Sequence, residues 1–303
     1  MLSIEKYGAV DIGSNAIRLL IASVIENEGK ETLFKKTSLV RVPIRLGADV
    51  FLEGKISEVN YRRMLDTMNA FRLLMQAHNV TRFRACATSA MRESRNGNDI
   101  ARQLEEKTGL AINIIDGNDE AAIIASTDLH SLIQGEKVFL YIDVGGGSTE
   151  FTIFANGKTV TSRSFKMGTV RLINNMVEDT MWQQMESWIK EFTKGYRKVY
   201  CIGSGGNINH IFKNSGKKLG KPLTYFYLAS YYELIKNHSF EERITEMNMN
   251  PDRADVIIPA TRIYLSAMKW SGAKNIYVPK IGLADGIVKS LYNEKVAESI
   301  DVR

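Results

Sequence analysis

Two short stretches carry residue types that handle phosphate. The first, Val138 to Phe151, reads VFLYIDVGGGSTEF. An apolar run ends in one carboxylate, Asp143, and Gly145, Gly146, Gly147, Ser148, Thr149 and Glu150 precede a second apolar run. A strand that delivers one acid to its end, followed by residues without Cβ atoms, lets successive backbone N–H groups crowd around a phosphate. Asp143 and Glu150 then face one space from the two sides of the turn, an arrangement suited to magnesium. The same letters also fit a glycine-rich hairpin with incidental acids. A second stretch weighs against that: Asp11, Gly13, Ser14 and Asn15 also follow an apolar run, and Asp143 stands 132 positions after Asp11 (143 minus 11).

The elements around the two turns repeat as well. In the first half, Tyr7–Ile12 reads as a strand, Arg18–Ile25 as its return, and Thr32–Ile44 as a third strand ending in Arg45-Leu46-Gly47. Ser57 is the expected N-cap of a helix to about His78, with Tyr61, Leu65, Met68, Phe71 and Met75 as its core stripe. A strand over Arg82–Thr88, a helix to about Lys107 closed by Gly109, a strand over Ala111–Ile115 and a helix from Asp119 to about Ile133 complete it. The second half offers strands at Lys137–Asp143, Glu150–Ala155 and Thr159–Phe165, the last ending in Lys166-Met167-Gly168. A helix around Met181–Lys194 carries Trp182, Met185, Trp188, Ile189 and Phe192 on one face. Then come a strand over Lys198–Ile202 ending in GSGGN, a helix from Pro251 to about Trp270, a strand over Asn275–Val278 and a final helix. Both halves read β-turn-β-β-helix-strand-helix-strand-helix. This predicts an α/β fold of two similar lobes that close on an anion in an inter-domain cleft.

Composition narrows the class. Of 303 residues, 44% are apolar and 24% charged, as in soluble globular proteins. No apolar run approaches membrane-spanning length, and a first strand entered by about Tyr7 leaves no room for a signal peptide. Cys86 and Cys201 each lie inside an apolar run and read as reduced, buried thiols, so the expected location is cytoplasmic, with no membrane partner. His78, His130, His210 and His238 show no metal spacing, which argues against a zinc hydrolase. The net charge of +6 is a solubility device more than a sign of an acidic partner, and no basic-aromatic platform suggests specific nucleic-acid binding. Lys213, Lys217, Lys218 and Lys221, interrupted by Gly216 and Gly220, read as a solvated loop or as a hold for a polyanion.

Several stretches carry a family resemblance: AVDIGSNAIRLLIASV (9–24), RLG (45–47), ATSAMRESRNG (87–97), DGNDEAAII (116–124), YIDVGGGSTEF (141–151), KMGTVRL (166–172), IGSGGNI (202–208), PDRADVIIPA (251–260) and IGLADG (281–286). In this order they resemble the exopolyphosphatase and guanosine pentaphosphate phosphohydrolase (Ppx/GppA) family, of the actin-like, ribonuclease H-like superfamily. The resemblance implies duplicated actin-like domains, over 1–124 with a C-terminal helix at about 285–303, and over 125–284. It implies magnesium-assisted hydrolysis of a terminal phosphoanhydride in polyphosphate or guanosine pentaphosphate, with a monovalent cation as an optional companion and a homodimer left open. Glu120 resembles the family's catalytic carboxylate, Asp143 and Glu150 its acids at the metal and attacking water, and Asp11 the first turn's acid, expected as a further metal ligand. Ser14, Asn15, Gly145, Gly146, Gly147, Ser148, Gly205 and Gly206 resemble its phosphate turns, and Arg92 its first-lobe arginine, expected as a catalytic residue that adds to the neutralisation of phosphoryl charge. Beside an incoming phosphate the pKa of Glu120 is expected to rise.

The departures are Asn207 where the family commonly has threonine, and Ala284-Asp285 where a basic-acidic pair is usual. With the chain ending at Arg303, the resemblance is to the short two-domain forms, so processive digestion of long polymer is less expected than hydrolysis of short chains or a nucleotide end. Two other readings stay open: an actin-like phosphotransferase, and a regulator that binds an alarmone or nucleotide without turning it over.

Overall fold

The computed structural model describes residues 2–127, 133 and 137–301. The chain divides into two units, one of Met1–Thr127 with Gly282–Arg303 and one of Asp128–Ile281.

The first unit is built on β1 (Leu2–Ile12), β2 (Ile17–Asn27), β3 (Leu33–Val42), β4 (Arg82–Ala87) and β5 (Ile112–Ile114), in the spatial order β3-β2-β1-β4-β5. β1 and β2 pair antiparallel around the DIGSNA turn, while β4 and β5 run parallel to β1. Central strands of such a mixed sheet are covered on both faces, which is why β1 ends in an unbroken buried run from Tyr7 to Ile12 rather than an alternation. Edge strand β3 is mostly half-buried or exposed and carries Lys35, Lys36 and Arg41, charges that discourage further strand pairing. Helices α1 (Leu46–Glu53) and α2 (Glu58–Ala77) follow it. Ser57 caps α2 by accepting from Asn60 N, worth about 1 kcal/mol, and Tyr61, Met64, Met68, Phe71 and Met75 form its buried face.

The helix expected up to Lys107 is two helices, α3 (Ser89–Glu93) and α4 (Gly97–Thr108). The break is steric: a Cβ on Gly97 would sit 2.1 Å from Met91 O, so the chain folds back on α3 where no side chain fits. Helix α5 (Gly117–Ala125) is capped by Asp116 and not by Asp119, with the Asp116 carboxylate accepting from Asn118 N at 2.7 Å and Asp119 N at 2.8 Å. Residues 128–132, through which that helix was expected to continue and which include His130, lie outside the described residues.

The second unit repeats the plan with β6 (Val138–Val144), β7 (Thr149–Ala155), β8 (Lys158–Phe165), β9 (Val199–Ser204), β10 (Leu223–Thr224) and β11 (Asn275–Tyr277). Its order β8-β7-β6-β9-β11 matches β3-β2-β1-β4-β5 strand for strand, and β10 is added at the far edge. Helix α6 (Thr169–Ile173) leads to α7 (Asp179–Thr193), which buries Met185, Trp188 and Ile189. Trp188 packs against Phe151, Phe165 and Phe192, with ring centroids 5.1–6.2 Å apart. The stretch after β9 holds α8 (Gly206–Asn214), α9 (Tyr225–Lys236) and α10 (Phe240–Thr245). The single helix expected from Pro251 is α11 (Pro251–Ala254), with proline in its first turn, and α12 (Ile257–Ser271), whose Tyr264 and Met268 are fully buried.

Helix α13 (Leu283–Asp301) belongs to the first unit. It is stapled to that sheet by Lys36–Asp285, Arg84–Glu294, Arg82–Glu298 and Lys295 with both Glu5 and Glu26, at 2.6–2.8 Å. Among the described residues no helix is long and apolar enough to cross a membrane.

Candidate functional site

In the second unit the strand register decides which side chains meet. Asp143 on β6 is the direct partner of Glu150 on β7, so their side chains rise from the same face of the sheet at its end. Glu150 is buried and accepts a hydrogen bond from Ser164 Oγ at 2.9 Å. The turn Gly145–Ser148 between them closes through Gly145 N to Ser148 O at 2.9 Å. Three further bonds fix it: Thr169 N to Gly145 O, Val170 N to Gly146 O, and Arg171 Nε to Gly147 O, at 2.8–3.0 Å. With its carbonyls spent on α6, the turn is held still.

Gly168 is glycine for the same reason. A Cβ there would lie 2.2 Å from Gly146 O and 2.4 Å from Gly147 N, so the basic-apolar-glycine ending of the third strand is what lets it reach the turn's backbone.

Ser204, at the end of β9, lies level with Asp143. Gly205 follows with φ 106° and ψ 163°, a conformation other residues avoid, and its Cα faces Asp143: a Cβ would be 3.4 Å from Asp143 Oδ1. Gly206 then opens α8, whose N-terminus carries no side-chain cap, and Asn207 is buried in that first turn. A helix N-terminus with backbone N–H groups directed outward is suited to an anion. Tyr264, fully buried on α12, donates to Ser204 O, and burial followed by the charge of Asp143 pushes its hydroxyl well above the usual tyrosine range. Nothing in its sequence surroundings marks this tyrosine; the signal is its contact with the GSGGN turn.

In the first unit Asp11 is the cross-strand partner of Arg18, which reaches it at 3.2 Å. Burial pushes the Asp11 carboxyl up from its ordinary value and Arg18 pulls it back down. The turn Gly13–Ala16 closes as its counterpart does, through Gly13 N to Ala16 O at 3.1 Å. Ser14 is buried, its Oγ 2.9 Å from Ser89 Oγ at the start of α3, and its carbonyl accepts from Gly47 N; Asn15 O accepts from Arg45 N. Ser89 and Arg18 were not singled out in the sequence. Arg18 could have been found, because it holds the position that Glu150 holds 132 residues later (150 minus 18).

Glu120 sits in the first turn of α5 with one carboxylate oxygen withdrawn from solvent. It lies on the side of the sheet where β1 and β4 end, close enough to act on Cys86, the β4 partner of Asp11. Burial, and then the charges of Asp11 and Glu120 against a counteracting Arg84, raise the Cys86 thiol to about 11. Both cysteines are buried and unpaired with one another. Arg92, in the last turn of α3, donates through Nη1 to Ile115 O at 2.6 Å, immediately before the α5 cap. From the other side, Gly286 on α13 meets α5 backbone to backbone: a Cβ would be 2.3 Å from Ile123 O. The two residues of IGLADG that depart from the resemblance have plain roles. Ala284 is buried, and Asp285 accepts from Gly282 N while pairing with Lys36.

Among the described residues no three His, Cys, Asp or Glu side chains are grouped to hold a metal ion. The donor chemistry nevertheless fits magnesium, which takes one or two protein carboxylates and completes its octahedron with water and phosphate oxygens. Asp143 and Glu150 are such a pair.

Comparison with known proteins agrees with this architecture. The chain is 28% identical to a bifunctional 3-dehydroquinate synthase/phosphatase of Fusobacterium nucleatum, over 91% of this chain and 46% of that protein. It is 24% identical to a guanosine-5'-triphosphate,3'-diphosphate pyrophosphatase of Aeromonas hydrophila, over 68% of this chain and 42% of that protein. It thus spans less than half the length of either relative. The crystal structure of an exopolyphosphatase from Cytophaga hutchinsonii superimposes with a TM-score of 0.81 at 22% identity, covering 96% of this chain and 98% of that one. The model of the Ppx/GppA phosphatase family matches residues 24–295, and with the duplicated actin-like sheets this establishes that the chain belongs to the Ppx/GppA phosphatase family.

Proposed function

We propose that the chain hydrolyses phosphoanhydrides, releasing the terminal orthophosphate of inorganic polyphosphate or of guanosine pentaphosphate. The observation that carries the proposal is the opposed carboxylate pair Asp143–Glu150, set over a backbone turn fixed by Gly168 and Arg171. The names of the similar proteins, an exopolyphosphatase and a guanosine-5'-triphosphate,3'-diphosphate pyrophosphatase, point to the same bond type.

In this reading the N–H groups of Gly145–Ser148 and the first turn of α8 hold phosphate oxygens, with Ser14 and Asn15 offering the corresponding turn in the first unit. Asp143 and Glu150 hold magnesium, which when bound neutralises negative charge on the phosphoryl oxygens. Glu120 takes the proton from the attacking water. Arg92 and Gly286 keep α5, and with it Glu120, in position. Asp11 is committed to Arg18 and serves to order its turn.

The test is phosphate release from short polyphosphate, long polyphosphate, guanosine pentaphosphate and ATP, each with and without magnesium. Release without an acceptor excludes a phosphotransferase, and binding without release favours the regulator. Glu120→Gln is expected to leave substrate binding largely intact while lowering turnover by roughly 10²–10⁴-fold. Near wild-type turnover removes Glu120 from the mechanism.

A further inference from the structure

The lysine loop between α8 and α9 is a built feature of the second unit. Lys217, Lys218 and Lys221 converge with Pro222, Thr224 and Asn275 on an open depression of about 350 Å³. The loop turns at Gly216 and Gly220, both with left-handed φ of 65° and 87°, which brings the three lysines to one side. It is tied down by Ser215 Oγ to Phe212 O at 2.7 Å, Lys217 Nζ to Pro222 O at 2.8 Å and Lys221 N to Lys218 O at 3.1 Å.

The lining contains neither a carboxylate nor an aromatic ring. It therefore has nothing to neutralise the lysines and no platform on which a base could stack. Lysines act as point charges for phosphate without demanding a planar partner.

The depression is separate from the phosphate turns. Asn275 begins β11, whose next residue, Ile276, pairs with Cys201, whereas Asp143 lies level with Ser204 at the other end of β9. Strand rise and spacing put Asn275 on the order of 15 Å from Asp143.

We propose that this depression is a second anion site, which engages the distal phosphates of a polyphosphate chain whose end lies at the Gly145–Ser148 turn. The proposal rests on the hydrolase reading for the position of that end. It favours an extended phosphate polymer over a nucleotide, because a ligand must be long to occupy both places.

The experiment uses the full chain carrying Lys217→Gln, Lys218→Gln and Lys221→Gln together, and, because Lys217 Nζ also ties the loop to Pro222 O, a second variant, Lys218→Gln with Lys221→Gln, that keeps this bond; the melting temperature of each is measured alongside. Binding of tripolyphosphate and of long-chain polyphosphate is measured by calorimetry without magnesium, alongside the KM for phosphate release. Long-chain affinity is expected to fall about tenfold or more, with a shallower dependence on salt, while tripolyphosphate is unaffected. Unchanged long-chain affinity overturns the proposal, and so does an equal loss for both ligands. Single-stranded RNA held by the wild type as tightly as polyphosphate, and lost in the variant, also overturns it and makes the site one for nucleic acid. Because binding is read without turnover, a wild type that binds long chains through these lysines but releases no phosphate sinks the hydrolase reading alone.

Discussion

The two units make the same turn and arm it with opposite chemistry. Asp11 and Asp143 end equivalent central strands, and each looks across a four-residue turn at its antiparallel partner. In the first unit that partner is Arg18, in the second Glu150. One substitution at one register position separates a neutralised pair from a doubly acidic one. An Asp–Arg pair satisfies itself and stiffens the backbone around it, whereas two adjacent carboxylates repel one another and are stabilised by a divalent cation. The frame occurs twice, and the charge at that position is what distinguishes the two copies.

The largest expected effect breaks this contrast directly. Glu150→Gln keeps an acceptor for Ser164 but removes one charge, and magnesium affinity should fall by roughly 10–100-fold, with phosphate release falling at fixed magnesium. Arg18→Gln should leave magnesium affinity unchanged and instead cost about 1–3 kcal/mol of stability, since Asp11 is left buried without its cation and Arg18 is only partly screened from water. Magnesium titration and urea unfolding of both variants separate the two outcomes. A drop in magnesium affinity for Arg18→Gln would mean that the first turn shares the metal's work.

A smaller effect sharpens the comparison at the glycines that follow each third strand, Gly47 in the first turn of α1 and Gly168 just before α6. A Cβ on Gly168 would run into backbone, Gly146 O at 2.2 Å, and a rigid turn cannot give way. A Cβ on Gly47 would meet Phe51 Cε2 at 2.8 Å and Ser14 Cβ at 3.1 Å, side-chain atoms, and the Phe51 ring can rotate. Gly168→Ala should therefore cost about 2–3 kcal/mol and raise KM, and Gly47→Ala about 1 kcal/mol with KM little changed. Urea midpoints and phosphate-release kinetics decide it. Equal costs would show that the second turn is no more tightly held than the first.

Much of this was legible in the letters. A carboxylate after a buried strand, glycines, and a returning strand locate both turns, and Ser57 and Gly109 mark helix ends because their chemistry is local. What was lost depends on contacts distant in sequence. The break at Gly97 is dictated by Met91 O, and the α5 cap passes to Asp116 because two acids three residues apart both suit a first turn. Tyr264 acquires its role only when α12 lies under β9. Helix α10 is a different case. Ser239 and Glu242 form a capping box whose S-x-x-E signature stands in the sequence, and it went unread because the helix behind it spans only Phe240–Thr245. Register is the deepest loss: the repeat sets Arg18 opposite Glu150 in the alignment of the two halves, but its pairing with Asp11 shows only in the sheet.

The smallest effect concerns how the two units answer acid. In the second unit His210 on α8 receives a hydrogen bond from Arg253 at Nδ1, 3.2 Å away, and burial, then Arg253 and Lys213, lower its pKa to about 4. A histidine kept neutral in the fold contributes stability above its unfolded value, near 6.5, because below that pH the unfolded chain takes up a proton that the fold refuses. That stability should drain away between pH 6.5 and 4, by about 1–2 kcal/mol after solvent screening. In the first unit, Glu5 is lowered by its bond to Lys295 and Glu298 by its bond to Arg82. Their contributions are present above the ordinary carboxylate range and are lost only as pH falls below about 4.5. At pH 5, then, the second unit should have weakened while the first has not. Amide exchange should show protection falling in β9 and α8 between pH 7 and 5, after correction for intrinsic rates, with β1 and β4 unchanged. His210→Gln should abolish the difference; loss of protection in both units together would place the acid-sensitive group elsewhere.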